Sequence, residues 1–297
     1  MHARVVFQVI LWVLLFTSTL AMGQGNVKVY TVNYPLQYFA QRIAGQHADA
    51  VFPAPTEGDP AFWQPSVEVI SEYQQADLIL LNGANYAKWV NRVSLPRRKL
   101  VDTSAGFRDR YIHVTVGATH SHGPGGEHSH AGTAFTTWLD FEQAAAQARA
   151  IAEAMMRKWP EWKTDFSRNL EALEADLLEL DKQIQMIVAV KPDHPLMASH
   201  PVYQYLQRRY GLNLKSMMWE PDEMPDDAQW AALARALGDH PARWMIWEGE
   251  PNPQIVKRLQ RMGVESVVFD PAGNRPDEGD FLSVMGQNVE HLKRAYQ

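Results

Sequence analysis

Apolar residues along this chain follow two rhythms that alternate over most of its length. Short unbroken runs such as Leu78-Ile79-Leu80-Leu81, closed by Asn82-Gly83, lack the polar alternation of a half-exposed strand. They predict parallel strands covered on both faces. Val27 to Val32, Ala50 to Phe52, Lys99 to Val101, Pro195 to Ala198, Leu214 to Met218, Arg243 to Trp247 and Ser266 to Phe269 extend the series. Between them lie helical spacings: Leu36, Phe39, Ala40 and Ile43 ahead of Gly45, then a stretch over Val67 to Gln75. Strands and helices in alternation predict an α/β fold whose parallel sheets are flanked by helices.

One segment breaks the alternation. From Lys163 to Ala189 there is neither glycine nor proline, and Phe166, Leu170, Leu173, Leu177, Leu180, Ile184 and Ile187 follow one another at intervals of 4, 3, 4, 3, 4 and 3 residues. That spacing sets them on one helical stripe. At about 1.5 Å per residue the segment makes a rod roughly 40 Å long. A coiled-coil dimer is the alternative, but the seam is short and stands alone. A single helix that runs along two lobes and joins them rigidly, in a monomer, fits better. The chain then divides into a leader at 1–23, a first α/β lobe at 24–162, the joining helix at 163–189 and a second α/β lobe at 190–297.

The leader has its own signature. His2 and Arg4 precede an apolar run from Val5 to Leu20, and small residues follow at Ala21 and Gly23. This is the layout of a cleavable export signal, and the run falls short of the ~20 residues a membrane span needs. A periplasmic protein is expected. The remaining composition is globular, with 46% hydrophobic and 21% charged residues. A net charge of −6 offers no basic field for nucleic acid and suits a cationic ligand. Cysteine is absent, which removes disulfides, thiolate metal sites and a lipid-modified cysteine anchor.

In open α/β sheets ligands bind beyond the carboxyl ends of strands, so the residues just after each apolar run carry the candidate chemistry. His200 follows Pro195 to Ala198; by itself it reads as a cap, a packing residue or a metal ligand. Asp270 precedes Pro271 and reads as a turn former or a carboxylate ligand. Glu220, in Trp219-Glu220-Pro221, and Glu248, in Trp247-Glu248-Gly249, sit where strands deliver side chains to a cleft, or else in polar turns. Pro225-Asp226-Asp227 has the form of a helix start. Phe62, Trp63, Trp219 and Trp247 either wall that cleft or fill the core. The segment at 119–131 is different again: His120, His122, His128 and His130, with Glu127, fall within 11 residues broken by glycine and proline. Its composition reads as a mobile metal-binding loop or as a solvated low-complexity one. Phosphate-binding loops, nucleophile elbows and His-Glu-x-x-His helices are missing, so no enzyme is expected.

Several segments together resemble the solute-binding proteins of zinc and manganese ABC transporters. They are Val32-Asn33-Tyr34-Pro35-Leu36-Gln37-Tyr38-Phe39-Ala40, the run from Gln74 to Gly83, Trp138-Leu139-Asp140, Ser199-His200-Pro201-Val202-Tyr203 with Arg209-Tyr210-Gly211-Leu212, and Phe269-Asp270-Pro271-Ala272-Gly273. The resemblance spans nearly the whole chain after the leader. It implies two lobes on a backbone helix, and capture of a divalent metal ion, zinc with manganese as the alternative, for a membrane permease. It also implies metal ligands at His200 and Asp270. Two positions depart from the pattern. Ala61 follows Gly58-Asp59-Pro60 where the family places a ligand, and Thr136 stands two residues before Trp138 where it places another. Alanine cannot coordinate, and a threonine hydroxyl is a poor zinc ligand. Replacement is expected from the histidine loop, His128 and His130 being nearest in sequence to Thr136, or from Glu220 and Glu248. A carboxylate-rich set with one histidine favours harder ions such as manganese. The competing reading is a repurposed scaffold: a metal chaperone, an adhesion partner or a receptor for another ligand.

Overall fold

The apolar runs become the strands of two four-stranded sheets. The computed structural model describes residues 27–114, 119–121, 127–129 and 132–297, and the side chains of 27–114 and 132–297. The expected leader at 1–23 lies outside the described residues, as do His122 and His130. The first sheet contains β1 (Val27–Thr31), β2 (Ala48–Val51), β3 (Leu78–Leu81) and β4 (Leu100–Asp102), all parallel, in the order β2-β1-β3-β4. Its first helix, α1 (Tyr34–Ala44), starts where Asn33 Oδ1 accepts the Leu36 N–H and Pro35 presets the first turn. A second helix, α2 (Val67–Gln75), leads into β3.

Between the sheets the chain makes two short antiparallel pairs. β5 (His113–Val114) pairs with β8 (Gly132–Thr133), and inside that base β6 (Thr119–Ser121) pairs with β7 (Glu127–Ser129), His120 opposite His128. The histidine segment expected as a loop therefore contains a hairpin at those residues. Its base is tied to the second half of the chain, because Tyr205 Oη donates to the Ala134 carbonyl at 2.9 Å and accepts the Ile112 N–H at 3.3 Å.

α3 (Phe141–Lys158), capped by Asp140, precedes α4 (Lys163–Val190), the joining helix. Phe166, Leu173, Leu177, Leu180 and Ile184 of its stripe are buried, while Leu170 and Ile187 form half-buried margins. Each fully buried side chain of this size contributes about 1.5–3 kcal/mol. The stripe packs against α1 and α3 on one side. On the other it meets α5 (Gln204–Tyr210) and, past α6 (Asp227–Asp239) and α7 (Pro253–Arg261), the C-terminal α8 (Phe281–Tyr296). α6 begins with a capping box between Asp226 and Gln229, at the helix start the sequence marks.

The second sheet contains β9 (Pro195–Ala198), β10 (Asn213–Ser216), β11 (Trp244–Trp247) and β12 (Glu265–Val268), again parallel, in the order β10-β9-β11-β12. β10 ends two residues before the expected Met218, because the chain then turns to carry Trp219 into the core. One apolar core runs through both halves; Phe281 at the start of α8 meets Phe39 of α1 edge to face at 5.2 Å. A polar clamp reinforces it. Arg209 donates to both Asp181 oxygens on α4 at 2.8 and 2.7 Å, and its guanidinium also lies 2.9 Å from Glu142 of α3. Among the described residues no helix is long and apolar enough to cross a membrane.

Candidate metal centre

β9 is an inner strand, with β10 on one side and β11 on the other, and its hydrogen-bond ladder continues past the strand ends. Met217 N–H donates to the Ala198 carbonyl and Trp219 N–H to that of Ser199, each at 2.8 Å. On the opposite side Ser199 N–H donates to Ile246 at 2.9 Å. These bonds bring the next residue of each strand exit, His200, Glu220 and Glu248, to one point. His200 Nδ1 lies 3.2 Å from Glu220 Oε1 and 3.7 Å from Glu248 Oε1. One ligand atom from each of the three lies within 4.8 Å of the other two. His200 is buried and the glutamates are half-buried, so the donors are held from below and open on one side.

That open side is a cleft of about 310 Å³ between the two sheets. The second sheet contributes His200, Glu220, Glu248 and Asp270, one from each strand exit; the first contributes Asp59 and Tyr86, and Thr136 comes from the segment before α3. The described lining residues bring four carboxylates and no lysine or arginine. A low-dielectric cleft of one charge sign concentrates the opposite ion, here a cation. Asp270 registers the burial: its carboxyl is pushed above the usual carboxylate range chiefly by desolvation, against the pull of the Ala272 N–H. Tyr203, beneath the cleft, has its phenol raised well above normal by burial, with the Glu248 and Asp270 charges adding to it.

The other candidates separate. Asp270 Oδ1 accepts the Ala272 N–H at 2.6 Å, so it makes the turn the sequence allows, and it lines the same cleft outside the three-residue group. Ala61 is buried with its N–H on Asp59 Oδ1, and Thr136 Oγ1 donates to the Val202 carbonyl at 2.6 Å. That hydroxyl serves as a strut between the halves. His120 and His128 are fixed only as backbone partners across the hairpin, and His122 and His130 lie outside the described residues. Trp219 and Trp247 are core: Trp219 packs on Trp230 at 4.7 Å and on Trp247 at 6.3 Å, and neither lines the cleft. Phe62 and Trp63 pack against the main core and do not line it either.

Asp59 and Tyr86 also face this cleft; the sequence marks Asp59 only within Gly58-Asp59-Pro60 and does not mark Tyr86. Tyr86 stands beyond the Asn82-Gly83 turn that closes β3, further from its strand than His200 is from β9, so the strand-exit rule does not single it out. Asp59 stands in a longer connection after β2, where the strand end gives less guidance.

The comparisons with known proteins agree with this architecture. The zinc-binding protein AdcA of Streptococcus pyogenes serotype M3 is 24% identical over 291 residues, covering 92% of this chain and 56% of that protein. The chain thus spans about half the length of the streptococcal relatives it matches. The high-affinity zinc uptake system protein ZnuA of Bacillus subtilis is 24% identical over 288 residues, 90% of this chain and 87% of the relative. The crystal structure of the metal-dependent lipoprotein YcdH from Bacillus subtilis superposes with a TM-score of 0.77 at 21% identity, over 91% of this chain and 98% of that one, and so shares the fold. A model of the family described as zinc-uptake complex component A, periplasmic (ZnuA), matches residues 29–295, and the chain belongs to that family.

Proposed function

We propose that this protein captures a divalent transition-metal ion at His200, Glu220 and Glu248 and delivers it to the permease of an ABC transporter. The observation that carries the reading is the convergence of one imidazole and two carboxylates at three neighbouring strand exits. Zinc accepts imidazole nitrogen and carboxylate oxygen at about 2.0–2.2 Å, and three protein ligands with an open position are a known zinc arrangement. The family supplies zinc as the first cargo to test. The balance of oxygen over nitrogen donors favours manganese as the second, since harder ions take carboxylates. In this reading the leader at 1–23 is removed on export, the protein works in the periplasm as a monomer, and the ion leaves chemically unchanged.

The histidine hairpin is assigned a separate task. It gathers metal weakly, while the trio at the strand exits provides the tight site. The test is calorimetric titration of metal-free protein with zinc and with manganese, for the wild type and His200→Ala. The substitution is expected to weaken binding at least tenfold, about 1.4 kcal/mol, with unchanged circular dichroism. Unchanged affinity would remove the trio as the site.

A further inference from the structure

The wall opposite the proposed ligands holds a buried polar atom that no described residue engages. Tyr86 is 2% exposed, with its ring edge-to-face against Phe135 at 5.2 Å and Trp138 at 5.8 Å, both of which line the cleft. Its Oη is buried and has no hydrogen-bond partner among the described residues. The hydroxyl approaches Gly273 across the cleft, where an added Cβ would lie 3.8 Å from it. A phenylalanine would fill the same space without stranding a hydroxyl, and buried polar groups left unengaged are costly. The hydroxyl therefore points to something that enters the cleft.

The proton on that oxygen is secure. Burial raises the phenol well above its ordinary range, and the negative charge of Asp59 pushes it further the same way. Tyr86 is thus a hydrogen-bond donor and not a phenolate ligand. On the other wall the trio offers only three donor residues, whereas zinc takes four or more ligands and manganese commonly six. The cleft has about 310 Å³ to spare, where one water takes roughly 30 Å³.

Resting on the metal site proposed above, we infer that the ion is held together with an exogenous oxygen ligand, a water or a small carboxylate, and that Tyr86 Oη–H donates to it. The protein then recognises a partly ligated metal, closing over it with a hydrogen bond from the first sheet in place of a protein ligand. Selectivity among metal species would depend on what the ion carries as well as on the ion itself.

Cobalt(II) tests this, because its visible d–d bands report a change of ligand. Metal-free wild type and Tyr86→Phe are loaded with Co²⁺, then titrated with sodium azide and, separately, with sodium acetate. In the wild type both anions are expected to shift the bands saturably. Tyr86→Phe should bind azide and acetate about tenfold more weakly, equivalent to about 1.4 kcal/mol, while the melting temperature of the metal-free protein does not fall. A response to azide but not to acetate supports water as the native ligand, and a response to both supports a carboxylate as well. No response of the wild type to either anion would overturn the inference, placing a protein group such as Asp270 in the open position. Equal anion binding by Tyr86→Phe would overturn the role of the hydroxyl. Failure of the wild type to bind Co²⁺ would show itself before any anion is added and would count against the metal site.

Discussion

The two sheets have the same strand order relative to the chain, β2-β1-β3-β4 and β10-β9-β11-β12, and so the same crevice where the chain reverses direction. What fills that crevice differs. Between β1 and β3 it is closed by amides that satisfy one another. Asn33 Nδ2 and Gln147 Nε2 both donate to Asn82 Oδ1 at 3.2 Å, Gln147 also donates to Thr103 at 2.9 Å, and Thr137 donates to Gln147 at 3.1 Å. Between β9 and β11 the corresponding place carries His200 with Glu220 and Glu248 beside it. A neutral network that consumes its own donors stabilises a fold. A cluster of two carboxylates around one imidazole offers acceptors that a cation can share. The scaffold thus offers two equivalent positions: the first is filled by a hydrogen-bonded amide network, and the second carries the residues proposed above to hold the ion.

The sharpest way to break that contrast is to remove the charge from the second edge. Glu220→Gln with Glu248→Gln preserves shape and should lower zinc affinity at least a hundredfold, about 2.7 kcal/mol by calorimetry. Affinity within threefold of wild type would mean that the ion sits elsewhere. The matching change at the first edge, Asn82→Ala, should cost about 1–3 kcal/mol in denaturant unfolding because it strands buried amide partners. Zinc affinity should stay within about threefold; a large loss would make the first edge part of the site. Deleting 119–131 should reduce the number of zinc ions bound at saturation and leave the tightest binding constant unchanged. Loss of that constant would shift the tight site into the hairpin.

A smaller effect concerns pH. Burial raises the Asp270 carboxyl in the folded protein above the ordinary carboxylate range. A raised carboxyl favours folding fully below the unfolded pKa, and that contribution fades as pH rises through the folded one. In chelator, the stability of Asp270→Asn relative to wild type should therefore grow as pH climbs above about 4. A gap that opens in favour of the wild type would show that Asp270 gains from its charge even without metal.

Much of the fold is legible in the sequence because burial on both faces of a parallel strand leaves an apolar run, and burial along one stripe leaves a 3–4 spacing. The runs mark the eight strands of the two parallel sheets to within a few residues, and the stripe from Phe166 to Ile187 marks α4. The order of strands leaves no such trace. Glu220 and Glu248 stand 28 residues apart, and only the placement of β9 between their strands makes them neighbours of His200. The role of Thr136 is hidden for a similar reason, since its partner Val202 is 66 residues away in the other half of the chain. Trp219 and Trp247 cannot be assigned to cleft or core from spacing, because a strand exit turns its side chains either way. Tyr86 carries no signal in the sequence; its hydroxyl stands out only because it is buried with no hydrogen-bond partner among the described residues.

In the proposed function the tight site lies at the carboxyl edge of the second sheet. Crystals of the zinc-loaded protein, with diffraction recorded on both sides of the zinc absorption edge, would locate the ion by its anomalous signal. The strongest peak is expected about 2.0–2.2 Å from an imidazole nitrogen of His200 and from carboxylate oxygens of Glu220 and Glu248. A strongest peak among the histidines of 120–130, or beside Ala61 and Thr136 with nothing between His200 and the glutamates, would contradict it.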